Sequence, residues 1–194
     1  ALGLREVRLL VNSLGDPTCR PQYLEALSAY LESRRDDLSE QSRATMAVNP
    51  LRVLDSKRPP DQRVIDEAPL MVDHLSPECA DHFAGVRSGL DALGLTYELS
   101  PRLVRGLDYY TKTTFEFAST ALDTAQNAVG GGGRYDRLAE DLGGPPTPGI
   151  GFALGVDRIL LACDAEASFP APAKAPAVFV IDVRREAIAI LEAR

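Results

Sequence analysis

The amino-acid sequence predicts an α+β protein: an antiparallel β-sheet, an all-helical segment inserted between its strands, and the start of a further α/β unit. Three observations carry this reading. Apolar side chains recur at helical spacing through residues 17–94. The stretches on either side shift towards alternation and β-branched residues bounded by turns. A run of Ala, Pro, Ser and Lys at 167–176 then precedes one more strand-like and helix-like pattern. The 194 residues, 45% hydrophobic and 25% charged, are ordinary globular usage with room for a core. A net charge of −7 supplies no global cationic field, so any nucleic-acid contact is local.

Val7 to Val11 reads as a strand, closed by Asn12-Ser13-Leu14-Gly15-Asp16-Pro17. Tyr23, Leu24, Leu27, Tyr30 and Leu31 share one helical stripe over 21–35, with Pro21 in the first turn. Ser39 caps a short helix to about Met46, which Asn49-Pro50 breaks. Lys57-Arg58-Pro59-Pro60 reads as a surface connection. Ser76-Pro77-Glu78 opens the clearest helix, with Cys79, Phe83, Val86, Leu90 and Leu93 on one face and Gly94 at its end. Thr96–Leu99, Leu103–Tyr110, Thr113–Phe117 and Gln126–Val129 are strand-like and close together, which favours antiparallel pairing. Gly130 to Gly133 reads as a loop leading to a short helix around Tyr135 to Leu142. Ile150–Leu154 is a strand and Val156–Ala165 a helix. The expected divisions are 1–16 and 97–166 for the sheet, 17–96 for the helical insertion, 167–176 for a linker, and 177–194 for the start of another domain.

Cys19, Cys79 and Cys163 stand far apart, in no metal-ligand or redox spacing, and read as buried thiols of a reducing compartment. His74 and His82 lack a matching frame of cysteines or carboxylates and read as structural. No residue is assigned to a metal. The longest apolar stretches fall short of a membrane span. The start has neither a basic leader nor an initiator Met, which reads as a cytoplasmic chain cut from something longer.

Chemistry concentrates in three places. Leu103-Val104-Arg105-Gly106-Leu107-Asp108-Tyr109-Tyr110 carries a guanidinium fork, a carboxylate and two phenols, suited to orienting a polar ligand. Gly130 to Gly133 with Arg134-Tyr135-Asp136 allows close approach to the backbone, though it is neither a P-loop nor a dinucleotide fingerprint. Gly149, Gly151 and Gly155 alternate with apolar residues along a strand, against which a flat ligand can lie. Arg158 then falls in the first turn of a helix, where an anion is favoured. The plain alternative is a tight strand–helix turn with Arg158 paired to Asp157 or Asp141.

Together these peptides carry a resemblance. The glycine-rich strand ending in Val156-Asp157-Arg158 resembles motif 3 of class II aminoacyl-tRNA synthetases. Arg105 to Tyr110 and Gly132 to Asp136 resemble the two signature peptides of the histidyl-tRNA synthetase family, in its order and spacing. Asn49 to Lys57 is similar to part of the helical insertion of bacterial members. The resemblance implies a class II catalytic sheet with a helical insertion and the start of an anticodon-binding domain. It further implies ATP with Mg2+, L-histidine and tRNA(His) as ligands, and a homodimer that binds no membrane. Arg158 would bind the γ-phosphate, Gly151 and Gly155 would flank the adenosine, and Arg105 would act catalytically at the α-phosphate and the histidine carboxylate. Tyr110 and Tyr135 would meet the imidazole, with Gly131, Gly132 and Gly133 as backbone walls. Arg137 departs from the glycine of many members. Motifs 1 and 2 are not found in the chain, which is therefore expected to be inactive alone. The alternative is the non-catalytic paralogue that regulates ATP phosphoribosyltransferase.

Overall fold

A computed structural model describes residues 2–104, 109–122 and 127–168. Arg105 to Asp108, the linker from residue 169 onwards and the expected domain at 177–194 lie outside the described residues. The strands are β1 (Val7–Ser13), β2 (Glu98–Leu99), β3 (Thr111–Ser119), β4 (Ala128–Arg134) and β5 (Ile150–Leu154). The helices are α1 (Arg20–Ser33), α2 (Glu40–Val48), α3 (Pro59–Glu67), α4 (Pro77–Ala92), α5 (Leu138–Asp141) and α6 (Val156–Ala165), with 3-10 turns at Arg35–Asp37, Pro50–Asp55 and Met71–His74.

The strands form one sheet in the order β2-β1-β3-β4-β5. β1, β3, β4 and β5 pair antiparallel, but β2 runs parallel to β1, so the sheet is mixed rather than purely antiparallel. Closeness in sequence misleads at β2, because its partner is β1, reached by way of the whole helical segment. A crossover that long permits parallel pairing.

Two further expectations change. Gly130 to Gly133 is no loop but the body of β4, an interior strand. A Cβ at Gly132 would run into the backbone of Gly151 and Phe152, so glycine here lets two strands close up. Leu103 and Val104 belong to no strand, and Tyr109 lies in a turn. The Asn12 amide holds that segment by donating to the carbonyls of Pro101 (3.2 Å) and Leu103 (3.0 Å). Lys57 to Pro60 also differs, since Pro59 and Pro60 start α3. A proline needs no backbone N–H partner in a first turn.

The helical segment owns its core. Tyr23, Leu27, Leu31, Val53, Val64 and Ile65 are buried together. Capping follows the sequence: Ser39 and Ser76 accept from the N–H groups of Ser42 and Cys79, and Gly94 leaves α4 with φ +66°. At Lys112 the backbone of β3 takes φ 51° in a bulge. Its N–H donates to Gly15 O (2.6 Å), while its carbonyl accepts from Leu14 N–H (2.7 Å). The bulge thereby locks β3 to the turn between β1 and α1.

Candidate active site

The two sheet faces differ in chemistry. Alternation along β3 sends Phe115 and Phe117 to one face, towards α4, and Glu116 and Ala118 to the other. Register then decides what β4 and β5 show on the Glu116 face. Gly131 pairs with Glu116, and Gly133 pairs with Gly151, so Gly131, Gly133, Gly151 and Ala153 cover it. From Gly131 to Gly133 and from Gly151 to Ala153 this face carries nothing larger than a methyl group.

A cleft of about 660 Å³ opens on that face. Arg8, Glu116, Ala128 and Arg158 line it from the sheet side, Lys57 and Asp66 from the helical segment, and Arg102 from the turn after β2. Leu103 and Val104, which precede Arg105, line it too. Arg158 stands in the first turn of α6, directly after the Gly155 cap. Its Nη1 donates to Ala128 O at 3.0 Å, which ties the guanidinium to the start of β4. Asp141 instead pairs with Arg137 at 3.6 Å. The Gly155 N–H donates to Val129 O (2.9 Å) and seats the turn against β4.

At the other end of β4 three aromatic rings gather. Tyr109 and Tyr110 are 5.2 Å apart, Tyr109 meets Tyr135 edge-on at 5.8 Å, and Tyr110 and Tyr135 are 6.3 Å apart. They occupy the space the glycines leave. A Cβ at Gly133 would lie 2.8 Å from the Tyr110 ring, and one at Gly149 would lie 2.5 Å from the Tyr135 ring. One at Gly151 would strike the Tyr135 hydroxyl. Arg20 steadies the cluster from below, donating through Nη2 to Tyr110 O (2.5 Å) and through Nε to Leu14 O (3.1 Å). Asp136 fastens the loop: its carboxylate accepts from Arg134 Nε (2.7 Å) and Gly149 N–H (3.4 Å).

Arg158 and the tyrosines therefore stand at opposite ends of one glycine-rich strand. Five residue steps at about 3.3 Å each separate Ala128 from Gly133, a span of about 16 Å. The arrangement suits an elongated ligand with an anionic end at the arginine and a ring at the phenols. The structure brings Tyr110, Tyr135, Gly133 and Gly151 together, places Gly131 on the same face, and puts Gly155 and Arg158 at the far end. Gly132 turns to the opposite face, so only its backbone can form a wall. Arg105 is outside the described residues, and its convergence with Arg158 is not part of this geometry. Sequence reasoning gave no role to Arg8 or Glu116, although strand alternation beside Phe115 and Phe117 already separates Glu116 from them. The histidines lie elsewhere. His74 stacks on Tyr23 (5.5 Å), and His82 Nε2 meets Thr113 Oγ1 at 3.2 Å on the apolar face, where burial and then Arg134 and Lys112 lower its pKa.

Known proteins resemble the chain over nearly its whole length. A family model described as Histidyl-tRNA synthetase matches residues 4–159. The chain is 53% identical over 191 residues to the histidine–tRNA ligase of Rhodococcus erythropolis, covering 98% of this chain and 44% of the relative. It is 50% identical over 194 residues to that of Streptomyces coelicolor, covering 100% of this chain and 45% of the relative. Among solved structures, apo histidyl-tRNA synthetase of S. aureus superposes with a TM-score of 0.64 at 38% identity, covering 86% of this chain and 40% of that one. The chain thus spans less than half the length of the relatives it matches.

Proposed function

Because the chain belongs to the histidyl-tRNA synthetase family, we propose that it forms the substrate platform of a histidine–tRNA ligase, which activates L-histidine with ATP and passes the histidyl group to tRNA(His). One observation carries the reading: Tyr110 and Tyr135 close over Gly133 and Gly151 at one end of β4 while Arg158 holds the other. In this reading the imidazole lies at the tyrosines and the nucleotide lies along Gly151 and Gly155. Arg158 takes the γ-phosphate, and Arg105 the α-phosphate and the histidine carboxylate. Mg2+ enters with the nucleotide, and Glu116 offers it a hard oxygen donor in the cleft.

Attack of the histidine carboxylate on the α-phosphate breaks the bond to pyrophosphate and forms the adenylate. The protein supplies little covalent help in such a step. Holding the two reactants in line and neutralising phosphate charge dominate the rate. The glycines of β4 and β5 leave room above the sheet for the tyrosine rings and, in this reading, for the substrates beside them. The homodimer, the cytoplasmic location and the division into a helical insertion at 17–96 and a catalytic unit at 97–166 belong to the same proposal. Among the described residues no helix is long and apolar enough to cross a membrane. The regulatory paralogue of ATP phosphoribosyltransferase is the weaker reading, because the relatives at 50–53% identity are named ligases.

The test grafts this chain into the Rhodococcus erythropolis ligase in place of its matching segment. The expected result is histidine-dependent ATP–pyrophosphate exchange by a folded graft. A folded graft that exchanges with no dependence on histidine, or not at all, removes the proposal.

A further inference from the structure

Two tetrapeptides of the same pattern open two helices: Asp16-Pro17-Thr18-Cys19 before α1, and Ser76-Pro77-Glu78-Cys79 at the start of α4. In each, an oxygen-bearing side chain caps the turn and a cysteine follows three residues later. Asp16 Oδ1 accepts from the N–H groups of Thr18 (2.9 Å) and Cys19 (3.3 Å), and Ser76 Oγ accepts from Cys79 N–H (3.3 Å). The fold sets the two helix ends against each other. Cys19 Sγ and Cys79 Sγ stand 4.0 Å apart, and Cys19 Sγ is 3.5 Å from Asp16 Oδ1. One ligand atom from each of Asp16, Cys19 and Cys79 falls within 4.8 Å of the other two. All three residues are buried, at 8%, 5% and 0% exposure, and none is given a role in the proposed ligase chemistry.

These separations match a coordination sphere. With zinc–sulfur bonds of about 2.3 Å and zinc–oxygen bonds of about 2.0–2.2 Å, tetrahedral angles put two sulfurs about 3.8 Å apart and a sulfur and an oxygen about 3.5 Å apart. Two sulfurs and a carboxylate make a soft-to-borderline donor set, which selects a zinc-like cation over magnesium or calcium. We propose that Asp16, Cys19 and Cys79 form a binding site for a zinc-class divalent cation that clamps the start of α1 to the start of α4. Ser76 Oγ, which accepts from Cys79 N–H, lies next to the site.

The protons balance. A cation of this class binds thiolates, so each cysteine has to lose its proton. Asp16, whose Oδ1 accepts from the N–H groups of Thr18 and Cys19, enters as a carboxylate. Two thiols therefore each give up a proton as the cation forms two bonds to sulfur, with no change in oxidation state. The charged pair Glu78 and Lys112, 2.8 Å apart, stands beside the site. The same turn receives the Lys112 bulge through Gly15 O, two residues from Tyr110, so the clamp would stiffen the floor beneath the tyrosines.

The experiment titrates the chain, kept reduced with a phosphine, with Cd2+ and separately with Co2+. Expected are one cation bound per chain, a thiolate-to-cadmium charge-transfer band in the ultraviolet, strong visible bands with cobalt, and two protons released per cation. Cys79→Ser should lose the band, and Cys163→Ser should keep it. If Cys79→Ser does not fold, the wild-type titration still decides. A folded, reduced wild-type chain that shows no band at stoichiometric cadmium overturns the site, as does a band unchanged in Cys79→Ser or lost in Cys163→Ser.

Discussion

Gly133 and Gly151 face each other across β4 and β5, and each does what no other residue can do there. A methyl group at Gly133 would sit 2.8 Å from the Tyr110 ring and 2.9 Å from Thr113 O, closer than Cβ atoms approach ring or carbonyl atoms in real proteins. The carbonyl belongs to the locked bulge of β3, so the ring must yield. Gly133→Ala should therefore raise the KM for histidine in exchange at least tenfold and leave the KM for ATP within about twofold, since a tenfold effect needs only about 1.4 kcal/mol of lost binding. Equal losses for both substrates would count against the tyrosine end as the histidine site. Arg158→Ala acts at the opposite end of the strand. It removes a charge-assisted contact worth about 1.5–3 kcal/mol, so exchange should fall tenfold or more, chiefly through ATP. Steady-state kinetics of the graft with each substrate varied in turn check both. Tyr110→Phe offers a milder probe, expected to weaken histidine selectively while the ring and its packing stay in place.

Between the elements of the helical segment, one buried carboxylate does the joining. Asp61, in the first turn of α3, accepts from Ser39 N–H (2.8 Å), Ser39 Oγ (3.0 Å), Ser42 Oγ (2.6 Å) and Ser56 Oγ (2.6 Å). It thereby ties the cap of α2 and the end of the Pro50–Asp55 turn to α3. Burial alone raises its pKa, but the hydrogen bonds from Ser42, Ser56 and Ser39 outweigh burial and hold it below 3.8. The folded state thus binds this proton more weakly than the unfolded one. Its contribution is complete above about pH 3.8 and is lost as pH falls below that towards the folded value. Asp61→Asn should lower stability at neutral pH by about 2–4 kcal/mol and flatten the acid limb of urea-unfolding midpoints against pH, leaving the part due to Asp16, whose pKa is shifted in the same direction. At this scale the sequence was legible wherever a local rule acts alone. Ser39 and Ser76 as caps, Gly94 as a stop and the span of α6 all follow from neighbours a few positions away. It was illegible where partners come from afar. Four successive glycines look like a loop until β3 and β5 close on either side, and β2 looks antiparallel until its partner proves to be β1. Cys19 and Cys79, 60 residues apart, look unrelated until two helix ends meet. The peptides around Tyr110 and Arg158 could be read without contacts because their order and spacing along the chain resemble those of the family.

Across the whole molecule, apolar surface is distributed unevenly. β5 is an edge strand, bonded to β4 on one side only among the described residues. On the face away from the cleft it shows Ile150, Phe152 and Leu154, exposed at 68%, 69% and 53%. On α6, Val156, Leu160 and Leu161 are exposed as well. Phe152 is held on that face by its register with Gly132, so it cannot turn inwards without breaking β4–β5 pairing. A strand edge that bears exposed apolar side chains is a template for association. The net charge of −7 opposes this only weakly at physiological ionic strength, where repulsion beyond about 8 Å is screened. The 194-residue chain by itself should therefore self-associate reversibly in the micromolar range, and more strongly as salt is raised. Sedimentation velocity over a concentration series checks this. Phe152→Lys places a charge on that strand at an exposed position, so it should shift the chain towards monomer without lowering its unfolding midpoint. A wild-type chain that stays monomeric through the series would refute this association.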